Sequence, residues 1–325
     1  MKKVAVGIDI GGTNTKIGIV DESGNVMVKD NISTPSHGDI SKYITDLSDA
    51  IKELINSVKL MNSETEVLGI GIGAPNGNYY SGTIEHAPNL SFKGIVPFVK
   101  LLEERFPEFK TIAMTNDANA AAMGEMIYGG ARGMKHFVLF TLGTGVGSGL
   151  VVDGKMVYGH DGFAGECGHT TLIPGGRLCG CGGRGHLETY CSAPGMKRTA
   201  FEIMARDNAS NSLLADKSFN ELDSKMIYDA ALKGDAVALE VFEQTGKWLG
   251  QSLADTVHHT SPEAIFLFGG PTAAGEFIFK PTRESLEEYL LPMFKNKIKV
   301  LPSQLKPGDA AIIGASALVY NELGI

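Results

Sequence analysis

The segment Asp9-Ile10-Gly11-Gly12-Thr13-Asn14-Thr15-Lys16 puts a carboxylate at the end of an apolar run, then two glycines, then hydroxyl and amide donors. Glycine lets a backbone approach a phosphate closely and adopt positive φ, so N–H groups can point at its oxygens. A carboxylate beside phosphates repels them unless a hard cation intervenes, so Asp9 implies Mg²⁺, directly or through water. The same octapeptide also reads as a plain hairpin with glycine at its turn. A second string, Thr141-Leu142-Gly143-Thr144-Gly145-Val146-Gly147-Ser148-Gly149, repeats the pattern. It does not satisfy G-x-G-x-x-G. Gly69 to Ala74 fits the relaxed form but runs into Pro75-Asn76-Gly77, a turn and not a helix start, so a dinucleotide fold is not supported. No G-x-x-x-x-G-K-[ST] occurs, which excludes a P-loop enzyme.

Two further groups could do chemistry. Asn116-Asp117 stands where a strand over 111–115 ends and an alanine-rich helix over 118–127 begins. Position alone favours Asp117 as the N-cap of that helix; the other reading is a general base for a hydroxyl. His169, Cys179, Cys181 and His186 fall in a glycine-rich stretch with spacing H-x₉-C-x-C-x₄-H. Four N/S ligands with none left over describe a closed, structural, tetrahedral Zn²⁺ site. The remaining cysteines, Cys167 and Cys191, are fallback ligands. Four cysteines crowded into one stretch point to metal or to chance, not to a disulfide framework.

The elements that must carry these groups are legible as periods. Val4 to Ile10 and Lys16 to Val20 read as strands around the first turn, with Val26 to Val28 following. The positions Ile40, Tyr43, Ile44, Leu47, Ile51, Leu54, Ile55 and Val58 recur at helical spacing over 40–60. Val67 to Gly73 is another strand. The pattern restarts with strands over 137–140 and 147–152 around the second turn. Ala264 to Phe268 is a strand closed by Gly269-Gly270. Two copies of strand, glycine turn, strand predict a duplicated α/β architecture in which each lobe presents one turn to a shared cleft. A last helix over about 309–320 should pack on a sheet; the pattern does not say which.

Composition narrows the class. With 325 residues the chain suits two lobes, and 43% apolar with 20% charged residues is ordinary for a globular protein. A net charge of −8 without a basic cluster argues against nucleic acid as a partner. No apolar run approaches a membrane span, and Met1-Lys2-Lys3 leads straight into the strand at Val4, leaving no signal peptide to expect. Cytoplasm is the default.

In ordered combination these motifs resemble the ROK family of sugar kinases and sugar-responsive repressors, within the actin-like/hexokinase (ribonuclease H-like) superfamily. The resemblance runs end to end, on Asp9-x-Gly11-Gly12-Thr13, Gly71-x-Gly73-Ala74-Pro75, Ala87-Pro88-Asn89, Asn116-Asp117-Ala118-Asn119, Gly143-Thr144-Gly145-x-Gly147, Glu166-x-Gly168-His169 and Cys179-x-Cys181-Gly182-x-x-Gly185-x-x-Glu188. It implies that Asp117 is the catalytic base and that Asn89, Asn116, Asp117, Glu166, His169 and Glu188 hold the sugar. It implies ATP as Mg·ATP on Asp9, Gly11, Gly12, Thr13, Thr15, Lys16, Gly143, Thr144 and Gly145, with Gly269 and Gly270 near the adenosine. The family commonly carries one His and three Cys at the zinc loop; here His186 stands in the place of the third Cys. The implied lobes are 1–117 with a C-terminal helix over about 306–325, and 118–305 with the zinc loop. A homodimer or homotetramer is also implied. The Ala87–Leu90 stretch favours glucose, with fructose, mannose, allose or an N-acyl hexosamine as alternatives. A non-catalytic sugar-sensing regulator is the further rival, but it would carry a helix-turn-helix ahead of Asp9.

Overall fold

The computed structural model describes residues 2–35, 39–306 and 308–325; residues 1, 36–38 and 307 of the expected lobe spans lie outside the described residues. The strands are β1 (Lys2–Ile10), β2 (Asn14–Asp21), β3 (Val26–Ser33), β4 (Thr65–Gly73), β5 (Ile84–Glu85), β6 (Ile95–Val96), β7 (Ile112–Thr115), β8 (Phe137–Leu142), β9 (Val146–Val152), β10 (Lys155–Met156), β11 (Ala264–Phe268) and β12 (Lys299–Pro302). The helices are α1 (Ile40–Met61), α2 (Phe98–Glu103), α3 (Asp117–Tyr128), α4 (Glu188–Cys191), α5 (Ala193–Asp207), α6 (Ser224–Ala231), α7 (Ala236–Thr260), α8 (Glu276–Tyr289) and α9 (Ala310–Leu323).

Two five-stranded sheets share one topology. The first runs β3-β2-β1-β4-β7 and the second β10-β9-β8-β11-β12. In each, three antiparallel strands are followed by two that pair in parallel. The duplicated α/β architecture expected from the two glycine strings is therefore present, and each string is the hairpin turn between the first two strands of its sheet.

Helix α1 covers the first sheet with the stripe Tyr43, Ile44, Leu47, Ile51, Leu54, Ile55 and Val58, all buried. Asp39 caps it by accepting from the Ser41 and Lys42 amides. Helices α5, α7 and α8 enclose a separate core over the second sheet, with Phe140, Leu142, Leu249 and Ile265 fully buried.

The last helix leaves β12 of the second sheet and packs on β1 and β4 of the first. It lies unusually close to them: a Cβ on Gly7 or Gly71 would overlap the carbonyl oxygens of Ile312 or Ala315. In the Gly69–Gly73 string, Gly71 therefore serves a close helix–sheet approach, while Gly69 lies against the Thr111 carbonyl and Gly73 against Ala120 of α3. Helix α9 also crosses α3. The buried Glu125 of α3 accepts from Gly130 N–H (2.6 Å), Gln304 N–H (3.0 Å) and the Ser303 hydroxyl, fastening α3 to the link that precedes α9. Among the described residues no helix is long and apolar enough to cross a membrane.

Candidate active site

The first glycine turn is closed by the Ile10–Thr15 pair and a Gly11 N–H bond to the Asn14 carbonyl of 3.0 Å. Gly12, Thr13 and Asn14 are exposed. Asp9 and Lys16 are paired across the hairpin and so share a face. Thr15 departs from the phosphate-binding expectation. It is fully buried on the opposite face, where its hydroxyl meets Thr34 (2.8 Å) and the Tyr43 hydroxyl. Its side chain ties the hairpin to α1, on the face opposite Asp9 and Lys16. The period-two alternation of β2 carried this signal, since Thr15 and Lys16 must point to opposite sides.

Asn89 sits in the exposed loop after β5. A Cβ on Gly12 would come within 2.7 Å of its carbonyl oxygen, so this loop abuts the first turn.

The second turn spans Gly143, Thr144 and Gly145, with Thr144 exposed and a Gly143 N–H bond to the Gly145 carbonyl of 2.9 Å. Glu188, the first residue of α4, reaches it: one carboxylate oxygen accepts from Val146 N–H at 3.1 Å. A Cβ on Gly145 would collide with that carboxylate. Gly269, at φ 118°, packs against the Leu142 carbonyl, which brings the end of β11 beside this turn; Gly270 is exposed.

At the start of α3 the structure reverses the positional reading. Asn116 is the N-cap, its side-chain oxygen accepting from Asn119 N–H at 2.6 Å. Asp117 is the first helical residue, and one of its oxygens accepts only from the Ala118 amide, at 2.9 Å. Because Asn116 performs the capping, a carboxylate oxygen of Asp117 is left for other work. Solvent reaches this carboxylate, yet it lies deep within the protein.

Electrostatics bind these groups into one site. Burial raises the Asp117 carboxyl above the usual range, against the opposing bond from Ala118. Asp9 is pushed up to about 6, first by burial and then by the charge of Asp117, with Lys16 acting in the other direction. Glu166 is raised by burial; His169 opposes this, and the charges of Asp117 and Glu188 add to it. Four carboxylates, two from the first half of the fold and two from the second, are thus linked by their charges. Such an arrangement suits a cation, a donor-rich ligand, or both.

His169, Cys179, Cys181 and His186 present donor atoms that all lie within 4.8 Å of one another. Cys179 Sγ is 3.8 Å from His169 Nδ1, and Cys181 Sγ is 3.3 Å from His186 Nδ1. Two sulfurs and two imidazoles converging at these separations fit a tetrahedral zinc. Cys191 is fully buried and its thiol faces the Thr245 carbonyl, and neither it nor Cys167 joins the cluster, so both drop out as ligands. The cluster borders the site: Cys179 Sγ lies 3.6 Å from the Glu188 carboxylate.

The turn read at Pro75-Asn76-Gly77 is present, and one feature, Arg177, escaped sequence reasoning. Asn76, which follows Pro75 in the Gly71–Pro75 motif, adopts φ 52° and donates to the Glu85 carbonyl at 2.9 Å. Asparagine tolerates this left-handed conformation, so the turn keeps its shape. Arg177, in the loop before Cys179, makes a dense set of contacts taken up below.

The ROK family profile matches residues 5–322. A glucokinase of Halalkalibacterium halodurans is 36% identical over 320 residues, covering 98% of this chain and 95% of the relative. A glucokinase of Thermotoga maritima is 32% identical, covering 98% of both. A ROK family glucokinase from Streptomyces griseus, solved with glucose and AMPPNP, superposes with a TM-score of 0.78 at 32% identity, covering 97% of this chain and 98% of that one. Matched by the family profile over nearly its whole length and by full-length relatives above 30% identity, the chain belongs to the ROK family.

Proposed function

We propose that the protein is an ATP-dependent hexose kinase that transfers the γ-phosphate of Mg·ATP to the primary hydroxyl of glucose. The observation that carries this reading is the charge-coupled group of Asp9, Asp117, Glu166 and Glu188 beside two glycine turns. The relatives named glucokinase, and the relative solved with glucose and an ATP analogue, support it over their full lengths.

In this reading Gly11, Gly12, Thr13 and Lys16 receive phosphates from one lobe, Gly143, Thr144 and Gly145 from the other, and Gly269 and Gly270 flank the adenosine. Mg²⁺ would be held near Asp9 and would neutralise the charge of the phosphate oxygens. Asn89, Asn116, Glu166, His169 and Glu188 hold the sugar, pairing carboxylates and amides with its hydroxyls. Asp117 takes the proton of the primary hydroxyl as that oxygen attacks the γ-phosphorus. The new O–P bond forms while the bond to the β-phosphate oxygen breaks; ADP leaves, and Asp117 later releases its proton to solvent. His169, Cys179, Cys181 and His186 would hold zinc, whose work is structural. We take the lobes as 1–117 with 306–325, and 118–305.

The test is ADP release from Mg·ATP with glucose, fructose, mannose, allose and an N-acyl hexosamine, beside an Asp117→Asn control. Turnover with glucose above the others, lost in the control, is expected. Zinc-replete protein that binds a sugar and turns over none of them would sink the proposal.

A further inference from the structure

Arg177 lies just ahead of the Cys179–Cys181 ligand pair and is nine-tenths buried along its side chain. Its guanidinium donates to the Thr189 carbonyl (2.8 Å), the Gly195 carbonyl (3.2 Å) and the Thr199 hydroxyl (3.0 Å), and forms a two-pronged pair with Glu202. The same plane stacks over the Tyr190 ring at 4.5 Å and reaches Trp248, the chain's single tryptophan, at 5.5 Å. Its backbone is engaged as well. The Arg177 N–H donates to the Tyr190 hydroxyl (2.9 Å), and its carbonyl accepts from Gly185 N–H (2.8 Å), the residue before His186.

These contacts meet at two places. One is the hairpin-like loop that bears Cys179, Cys181 and His186, whose strands are bridged at Leu178–Arg184 and Thr171–His186. The other is the short helix that begins with Glu188, gripped at the next residue through the Thr189 carbonyl. A buried arginine that satisfies three acceptors and one carboxylate leaves several polar groups unpaired when it is removed.

We propose that Arg177 is a positioning residue for the sugar: it joins the metal loop to the Glu188 helix so that ligand cluster and sugar-binding carboxylate are held as one unit. The inference rests on the assignment of Glu188 to the sugar. Lysine cannot replace it, since an ammonium supplies a point charge and not a planar fork.

The experiment compares wild type, Arg177→Lys and Glu202→Gln. The last removes only the outward pair, to a carboxylate that is 60% exposed. Glucose KM and kcat are measured, glucose Kd by calorimetry, zinc release to a chelator by a metal-sensitive dye, and Trp248 emission with and without glucose. In Arg177→Lys, glucose KM and Kd should rise about tenfold with kcat within about threefold, as expected for lost binding alone. Zinc should leave faster, and the glucose-induced change in Trp248 emission should vanish. Glu202→Gln should match wild type throughout. Folded Arg177→Lys protein with unchanged glucose Kd and zinc release would overturn the proposal. A wild type that binds glucose but never phosphorylates it would instead sink the kinase reading, with Kd still reporting on Arg177.

Discussion

Replacing Asp117 by asparagine separates chemistry from binding at this site. Removal of a positioned general base lowers rate by about 10²–10⁴, which raises the barrier by roughly 3–5 kcal/mol. The geometry limits the accompanying damage. Asn116 holds the cap bond to Asn119, so α3 keeps its N-terminus, and an asparagine oxygen can still accept from the Ala118 amide. Glucose Kd should therefore move by less than about tenfold. Stability should rise. Asp9 is pushed up to about 6 in the fold from the ordinary 3.8, so the fold binds its proton more tightly than the unfolded chain does. A raised carboxyl of this kind destabilises the fold increasingly as pH rises from about 4 to about 6, by at most about 3 kcal/mol above that window. Burial is the larger cause, so Asp117 carries the smaller share of that penalty. The variant should melt higher than wild type near neutral pH and lose that advantage near pH 4. The assay pairs coupled ADP release with calorimetric glucose binding and thermal melts. A kcat reduced less than tenfold, or a loss confined to KM, would refute the role of Asp117 as base.

Other outcomes follow from the same coordinates. Lowering pH through about 6 protonates Asp9, so KM for Mg·ATP should climb on the acid side, and Asp9→Asn should flatten that rise at a lower activity. Asn116→Ala should destabilise by about 1 kcal/mol through loss of the cap, while Asp117→Ala should not; equal losses in urea melts would return the cap to Asp117. Chelation should remove one zinc per chain and raise glucose KM, whereas His186→Cys should retain the metal, both read by atomic absorption and steady-state kinetics. Gly71→Ala should cost about 1–3 kcal/mol because its methyl meets the Ala315 carbonyl; an unchanged melting temperature would show that α9 can shift.

Much of the framework was legible because it is written in local periods. The stripe from Tyr43 to Val58 and the apolar runs of β1, β4, β8 and β11 announce helix and strand without knowledge of partners. The cap at α3 was not legible, since adjacent Asn and Asp are equally good caps and only the backbone at Asn116 decides between them. The destination of α9 could not be read from pattern, since an apolar helix shows that it must be covered, not by which sheet; only the family resemblance placed it with residues 1–117. Its landing place was nevertheless encoded in Gly7 and Gly71, which leave room for the Ile312 and Ala315 carbonyls. Arg177 escaped because its acceptors are two backbone carbonyls and the side chains of Thr199 and Glu202, more than twenty residues away, which no local pattern records.

The return of α9 to the first sheet also sets an order of assembly during synthesis. Strands β1 and β4 are made before the helix that covers their Gly7 and Gly71 face, which follows only after the whole second sheet. At ordinary elongation rates that face waits on the order of ten to fifty seconds for its cover. The N-terminal half is therefore a nascent chain with one finished side and one open apolar side, a surface on which chaperones would act. A chain cut just before Ala310 would carry the strands of both sheets but not the helix that covers the first, nor the α3–α9 crossing.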